Sequence, residues 1–259
     1  MSMNILLGKT IEAVASAGEL IVEANKKPRN IKYKGKIDLV TDTDLAVELA
    51  LKERLAKVLP GSTFLAEETA SDAELGDNTW IIDPVDGTTN FAHGLPMVAT
   101  SVGLWQDGRM KLGVVNLPLM GEMFAAAKGE GATMNGKPIS VSAIGELEKA
   151  LLATGFPYAI GDHLEMLMKQ LRRVLKASQG VRRPGAAALD LAYVACGRYD
   201  GFYESALNPW DTAAGWLLVE EAGGKVSQYD DNTDYAFGAP SIMATNGLIH
   251  SALGKLVNV

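Results

Sequence analysis

Apolar residues recur at helical spacing at the start of the chain. Ile11, Val14, Ala15, Gly18, Ile21 and Val22 share one face of a helix predicted over residues 4–26, and Pro28 closes it. A second helix carries Val47, Leu51, Leu55 and Val58 on one face. It follows a short extended piece, Asp38-Leu39-Val40-Thr41-Asp42-Thr43-Asp44, that ends in helix-capping residues, and Pro60-Gly61 stops it. The period then shortens. Phe64-Leu65-Ala66 predicts a strand that delivers Glu67 and Glu68, and Trp80-Ile81-Ile82 predicts a buried one. Further strands are predicted around 97–105, 112–116 and 123–127. Asp107-Gly108 is a hairpin signal between the first two, and Asn135-Gly136 marks another turn.

The second half has a different rhythm. Apolar pieces at 150–154, 181–183, 201–203, 225–227 and 242–245 alternate with helical patterns at about 163–177, 187–196, 211–222 and 247–257. Such alternation predicts an α/β chain with a mainly parallel or mixed sheet covered by helices. There is no internal repeat and no low-complexity linker. The 259 residues suit a single unit, with subdomains expected at roughly 1–145 and 146–259 where the pattern changes.

Composition narrows the function classes. A hydrophobic content of 47% supplies a sizeable core, and no apolar run approaches a membrane span. The N-terminus lacks the basic-then-apolar pattern of a secretory signal. Cys196 is the only cysteine, so no internal disulfide can form and a reducing, cytoplasmic compartment is expected. It sits in the apolar helical stretch Leu191-Ala192-Tyr193-Val194-Ala195-Cys196-Gly197, where a buried, inert thiol is the simpler reading. His93, His163 and His250 are far apart, which argues against a His-rich zinc site. The net charge of −7 disfavours nucleic acid as a partner. It also means that an anionic ligand would need metal ions on clustered carboxylates to reverse the local sign.

One run offers such a cluster. In Trp80-Ile81-Ile82-Asp83-Pro84-Val85-Asp86-Gly87-Thr88-Thr89-Asn90 a buried strand ends in two carboxylates. Positions three apart face opposite sides of a regular strand. A tight turn at Pro84 would bring them within roughly 7 Å and aim both, with the Val85 carbonyl, at one point. Hard oxygen donors suit a hard divalent cation such as Mg²⁺. The backbone N–H groups of Gly87, Thr88 and Thr89 follow directly and suit an anion. Asp-Pro and Asp-Gly alone are ordinary turn chemistry; it is the five polar candidates at the end of one strand that point to phosphate chemistry. A second signal is Asn208-Pro209-Trp210-Asp211-Thr212-Ala213-Ala214-Gly215, where Asp211 opens a helix and small residues permit close approach. That helix ends at Gly223-Gly224. By itself Asp211 reads as a helix cap.

Together these runs, with Glu221-Ala222-Gly223-Gly224, resemble the two signatures of the inositol monophosphatase family. Asp38-Leu39-Val40-Thr41 with Asp44, and Ala66-Glu67-Glu68, match its upstream elements in order, so the resemblance covers essentially the whole chain. It implies a layered αβαβα sandwich of the sugar-phosphatase type. It also implies a lithium-sensitive homodimer that uses two or three Mg²⁺ ions on a small phosphorylated polyol or sugar. By the same resemblance the metal ligands are Glu67, Asp83, the Val85 carbonyl, Asp86 and Asp211. The substrate contacts are Asp86, Gly87, Thr88, Thr89, Gly185, Ala187, Glu204 and Asp211, with phosphate on the backbone of residues 87–89. Thr88, with Asp44 or Glu67, orients the attacking water.

The chemistry explains these parts. Phosphate monoester hydrolysis is among the slowest uncatalysed reactions. Two metal ions can activate water and stabilise the leaving oxygen. Glu67, Asp83, Asp86 and Asp211 carry four negative charges that two Mg²⁺ would cancel. Without cations they repel one another and hold protons with raised, coupled pKa values. Direct attack by water is expected, with no phosphoenzyme. Glu68, Asp38 and His93 read as structural. Lys169, Arg172, Arg173, Lys176 and Arg182 read as a solvated basic face; Arg183 is set apart by its place before Pro184-Gly185. Inositol monophosphate is the best single substrate guess. Fructose-1,6-bisphosphate, histidinol phosphate and 3′-phosphonucleotides are rivals, and a non-catalytic regulator that binds the transcription machinery is the reading from another class.

Overall fold

The structure is a computed structural model that describes residues 2–27, 31–33, 39–157 and 161–259. Pro28 and Asp38 lie outside the described residues. The chain opens with helix α1 (Met3–Asn25), a short ribbon of β1 (Ile31–Tyr33) against β2 (Leu39–Thr41), and helix α2 (Asp42–Val58). The buried face of α1 is Leu6, Thr10, Ala13, Val14, Ala17, Gly18 and Ile21. It overlaps the predicted stripe at Val14, Gly18 and Ile21, whereas Ala15 looks outward. In α2, Val47, Leu51 and Leu55 are buried as predicted.

Next come β3 (Thr63–Ala66), β4 (Asn78–Asp86), the short helix α3 (Thr88–His93), β5 (Ala99–Gln106), β6 (Arg109–Leu117), β7 (Glu122–Ala127), β8 (Ala132–Met134) and β9 (Lys137–Ile139). These strands form one seven-stranded sheet in sequence order. Only its β3–β4 pair is parallel. Asp107-Gly108 and Asn135-Gly136 make two-residue turns with positive φ at both positions, as their sequences predict.

The second half supplies β10 (Leu151–Thr154), α4 (Leu164–Ala177), β11 (Gly180–Arg182), α5 (Ala187–Ala195), β12 (Gly201–Ser205), α6 (Pro209–Glu221), β13 (Lys225–Ser227), β14 (Ser241–Thr245) and α7 (His250–Val257). Its sheet runs β11-β10-β12-β14-β13 and is mixed. The parallel pairs β10–β11 and β10–β12 give way to antiparallel pairing at β14.

Three hydrophobic cores sit between five layers. One joins α1 and α2 to the first sheet. A central core joins that sheet, through α5 and α6, to the second sheet. The third covers the outer face of the second sheet with α4 and α7. This is the expected αβαβα sandwich.

The helix that carries Asp211 lies close on the first sheet, and glycine makes that possible. Gly103 and Gly113 face each other across β5 and β6. A Cβ on Gly113 would come 2.7 Å from the Ala214 carbonyl oxygen, and one on Gly103 would come 3.0 Å from the Ala213 Cβ. Small residues on both sides fix the height and rotation of the start of α6. That helix begins at Pro209, two residues earlier than its apolar pattern predicts, because proline suits the first helical position.

Candidate active site

The carboxylates of β4 meet by a device different from the predicted turn. The strand does not end at Asp83; it continues to Asp86. Asp83 pairs with Ser101 and Asp86 with Ala99, so three steps on β4 oppose two on β5. This extra residue is a β-bulge, and it reverses the alternation of sides that a regular strand would impose. Asp83 and Asp86, which parity alone would set on opposite faces, thereby both reach one cleft. The Thr100 hydroxyl donates to the Pro84 carbonyl at 2.9 Å, and the Val85 N–H donates to Asp83 Oδ1 at 3.0 Å. These bonds hold the irregular segment without a turn.

The cleft has a volume of about 620 Å³, within the range of small-molecule sites. Its lining gathers Glu67, Asp83, Val85, Asp86, Gly87, Thr88, Thr89, Gly185, Ala187, Glu204 and Asp211. Asp44, the remaining candidate, lies buried behind it. Each residue arrives by a separate route. Glu67 follows β3, which pairs with β4. Asp211 is the third residue of α6 and accepts the Asn208 N–H at 2.7 Å with Oδ2. The cap itself is Asn208 rather than Asp211, which the sequence suggests; Asp211 returns the bond from the third helical position in a capping box. Asp86 accepts N–H bonds from Ala187 (3.2 Å) and Ala188 (2.7 Å), so the start of α5 is bonded directly onto it.

Gly87 makes the sharp exit from β4. Its φ is +89°, and a Cβ there would stand 2.8 Å from the Met97 carbonyl oxygen. Thr88 and Thr89 then open α3, where the first N–H groups of a helix have no carbonyl of their own helix to bond. The Thr88 hydroxyl lies 3.1 Å from Asp44 Oδ1 and 2.9 Å from the Val85 carbonyl oxygen. It has one proton, so it donates to one of these at a time and keeps lone pairs for another donor. Asp44 is held in turn by the Thr41 N–H at 3.0 Å and by the Thr41 hydroxyl.

Electrostatics set this cluster apart. Burial pushes Asp83 well above the usual carboxylate range, and the charges of Glu67, Asp86, Asp211 and Asp44 push it further. Asp86 rises to about 7 because it is buried, although the N–H bonds from Ala188 and Ala187 oppose the shift. Asp211 rises to about 7 through burial and the charge of Asp86, and Glu204 to about 8 through burial and then Asp211. Among the described residues, no three acidic, imidazole or thiol side chains form a ready-made metal cage.

Other candidates fall away. His93 is exposed at the end of α3 and does not line the cleft. The Glu68 N–H donates at 2.8 Å to Glu48, a buried residue that also takes the Thr69 hydroxyl and Lys52. Cys196 is half-buried rather than buried, and burial raises its thiol pKa, so it stays an inert thiol. Arg173 donates at 2.8 Å to the Lys255 carbonyl at the end of α7, a structural task.

Sequence reasoning missed two residues that hold the site, Glu48 and Asn90, and a buried acid beside it, Asp190. Glu48 anchors the turn after Glu67. Asn90 Nδ2 reaches the carbonyls of Met97 (2.8 Å) and Pro184 (2.9 Å), tying α3 to the loop before α5. Asp190 is buried on α5, and its Oδ1 has no hydrogen-bond partner. Asn90 ends the run already singled out and could have been flagged there; Glu48 and Asp190 look like ordinary helical acids.

With this geometry in view, similarity to known proteins decides the lineage. The sequence profile of the "Inositol monophosphatase family" matches residues 6–258. The chain belongs to the inositol monophosphatase family. It is 44% identical over 248 residues to the inositol-1-monophosphatase of Synechocystis sp., covering 94% of this chain and 85% of that protein. It is 41% identical over 240 residues to the Nus factor SuhB of Pseudomonas aeruginosa, covering 90% and 89%. The crystal structure of the extragenic suppressor protein suhB from Bartonella henselae superposes with a TM-score of 0.90 at 37% identity, covering 97% of this chain and 98% of that one. Inositol monophosphatase family members are phosphatases of phosphate monoesters and are generally Mg²⁺-dependent, and the fold and enzyme class of this chain are theirs. No helix among the described residues is long and apolar enough to cross a membrane.

Proposed function

We propose that this protein hydrolyses a small polyol or sugar phosphate monoester, with inositol monophosphate as the leading substrate, by direct attack of water on phosphorus. The observation that carries this reading is the convergence on one cleft of Glu67, Asp83, Asp86 and Asp211 with the Thr88–Asp44 pair and Glu204.

The residues fit Mg²⁺. The metal-capable side chains of the cleft are carboxylates, with no imidazole or thiol among its described lining, and hard oxygen donors suit a hard cation. Buried acids that raise one another's pKa values also call for positive charge. Glu67, Asp83, the Val85 carbonyl, Asp86 and Asp211 would hold two or three ions. Bound there, Mg²⁺ supplies charge neutralisation and Lewis acidity toward phosphate and water. The chain's own groups do the rest. The N–H groups at residues 87–89 receive phosphate oxygens. The Thr88 hydroxyl donates to Asp44 and accepts from water, which aims a water lone pair. Glu204 accepts a bond from a substrate hydroxyl. Glu67 borders the same water, and Gly185 and Ala187 leave room for the carbon skeleton.

The reading extends to a single catalytic unit, a cytoplasmic location and a homodimer. A transcription-linked role is the second reading, favoured by relatives named Nus factor SuhB and by the basic residues Lys169, Arg172 and Lys176 on α4.

Phosphate release separates the readings. Inositol monophosphates, fructose-1,6-bisphosphate, histidinol phosphate and a 3′-phosphoadenosine phosphate would be compared with Mg²⁺ and with chelator. The highest Mg²⁺-dependent kcat/KM is expected on inositol monophosphate. No release from any of them with Mg²⁺ present overturns the phosphatase reading.

A further inference from the structure

Three neighbouring parallel strands end at the mouth of the cleft. Gly155 and Phe156 follow β10, Arg183 follows β11, and Glu204 lies near the end of β12. Ligands of α/β sheets commonly bind outside such carboxyl ends. Two glycines let the charged groups fold inward. The Glu204 carboxylate lies over Gly155, where a Cβ would fall 2.1 Å from Oε2. The Arg183 guanidinium folds over Gly185, whose Cβ would stand 2.8 Å from Nη1. Phe156 backs the guanidinium, with Arg183 Cζ 5.6 Å from the ring centre. Arg183 is the one cation among the described residues lining the cleft.

We propose that Arg183 is the specificity-determining residue of this cleft, reading with Glu204 the neutral, hydroxyl-bearing skeleton of the substrate rather than a second phosphate. The inference rests on the phosphatase reading and deepens it. A guanidinium only donates hydrogen bonds, and a carboxylate only accepts them. A hydroxyl does both, so neighbouring hydroxyls satisfy Arg183 and Glu204 together. A second phosphate would satisfy Arg183 but would bring only acceptor oxygens to Glu204, where a hydroxyl both donates and accepts. Arg183, the one cation among the described lining residues, leaves a second phosphate dianion short of balancing charge. Phe156 fixes the plane of the guanidinium and offers an apolar face to ring carbons.

The test compares Arg183→Ala and Arg183→Lys with the native protein on inositol 1-phosphate, phenyl phosphate and fructose-1,6-bisphosphate, all with Mg²⁺. Arg183 is exposed, so melting temperatures should stay within a degree or two, as for most surface substitutions. For Arg183→Ala, KM on inositol 1-phosphate should rise roughly tenfold, the effect of losing one hydrogen bond from a charged group, with kcat nearly unchanged. KM on phenyl phosphate, which has no hydroxyls, should not move. Arg183→Lys should recover only part of the loss, because an ammonium lacks the planar fork and the ring stacking. Equal changes on inositol 1-phosphate and phenyl phosphate, or none on either, overturn the inference while leaving the phosphatase reading intact. A loss confined to fructose-1,6-bisphosphate overturns it in favour of a second phosphate. If the native protein releases phosphate from none of the three, the phosphatase reading fails, and the specificity role falls with it.

Discussion

Two buried polar clusters in this molecule are built on opposite plans. At the far end of the second sheet, His250 is 1% exposed and its bonds are complete. Ser227 Oγ lies 2.8 Å from Nε2 and also donates to the Gln228 carbonyl at 2.5 Å, so it accepts the Nε2 proton. Thr245 Oγ1 lies 2.7 Å from Nδ1 and accepts the Gly247 N–H at 3.0 Å, so it donates to Nδ1. These roles assign one neutral tautomer. In the cleft, Asp83, Asp86, Asp211 and Glu67 repel one another. The first cluster stabilises the fold; the second opposes it and is tolerated because the packing of β4, α5 and α6 over-determines it. A buried group with complementary partners reads as structure, whereas buried like charges held together read as a site that needs a ligand.

The largest expected break in that comparison is Asp211→Asn. Its amide keeps an oxygen for the Asn208 N–H but removes the charge. Turnover with Mg²⁺ should fall roughly a thousandfold, about 4 kcal/mol of barrier, while the fold survives. Near-normal kcat in steady-state assays would remove Asp211 from the machinery. His250→Ala should do the reverse. It leaves Ser227 and Thr245 without their partner and opens a cavity, so denaturant melts should show a loss of about 3 kcal/mol. Activity per folded molecule should be unchanged, because the residue lies outside the cleft.

A smaller effect comes from Mg²⁺ itself. At a hundred times its Kd the ion should stabilise the native protein by about 2.7 kcal/mol, seen as a higher Tm. Asp211→Asn should lose most of that gain. An unchanged melting curve for the native protein at saturating Mg²⁺ would speak against the cation site.

The subtlest contrast is in pH. Asp211 is raised from 3.8 to about 7, so without metal its contribution is present below about pH 3.8 and is lost as pH rises through 7. His250 is lowered from 6.5 to about 4, so its contribution is present above about pH 6.5 and is lost as pH falls through 4. In chelator, Asp211→Asn should therefore become more stable relative to the native protein as pH climbs from about 4 to 7. Saturating Mg²⁺ should reverse that difference. Melting curves across this range measure both slopes, and a flat difference in chelator would show that the cluster carries no strain.

Much of this protein was legible in its residues because the informative patterns are local. The 3.6 period over α1 and α2, the Asp-Gly and Asn-Gly hairpins, and the alternation after residue 150 all reflect contacts each segment makes along one face. The acids at 67, 83, 86 and 211 were legible as a set through their motifs, but not through spacing alone. Glu48 and Asp190 could not be picked out, because a buried acid and a solvated one look the same on a helix until the partner surface is known.

Sequence by itself determined the longer helices, most of the strands and which short runs carry oxygen donors, since these follow from neighbouring residues; the short helix α3 and the strands β1, β8 and β9 emerged only in the fold. Tertiary structure alone decided how Asp83 and Asp86 come to face the same way, because only the offset against β5 reveals the inserted residue that replaces the predicted turn. It set Thr88 within hydrogen-bond reach of Asp44, one of the two partners expected for it, and it alone decided that α5 begins on Asp86 and that Arg183 folds across Gly185 toward Glu204. The physical reason is the same in each case: these pairs are distant along the chain or separated by a register shift, and their meeting is fixed by the packing of two sheets around α5 and α6.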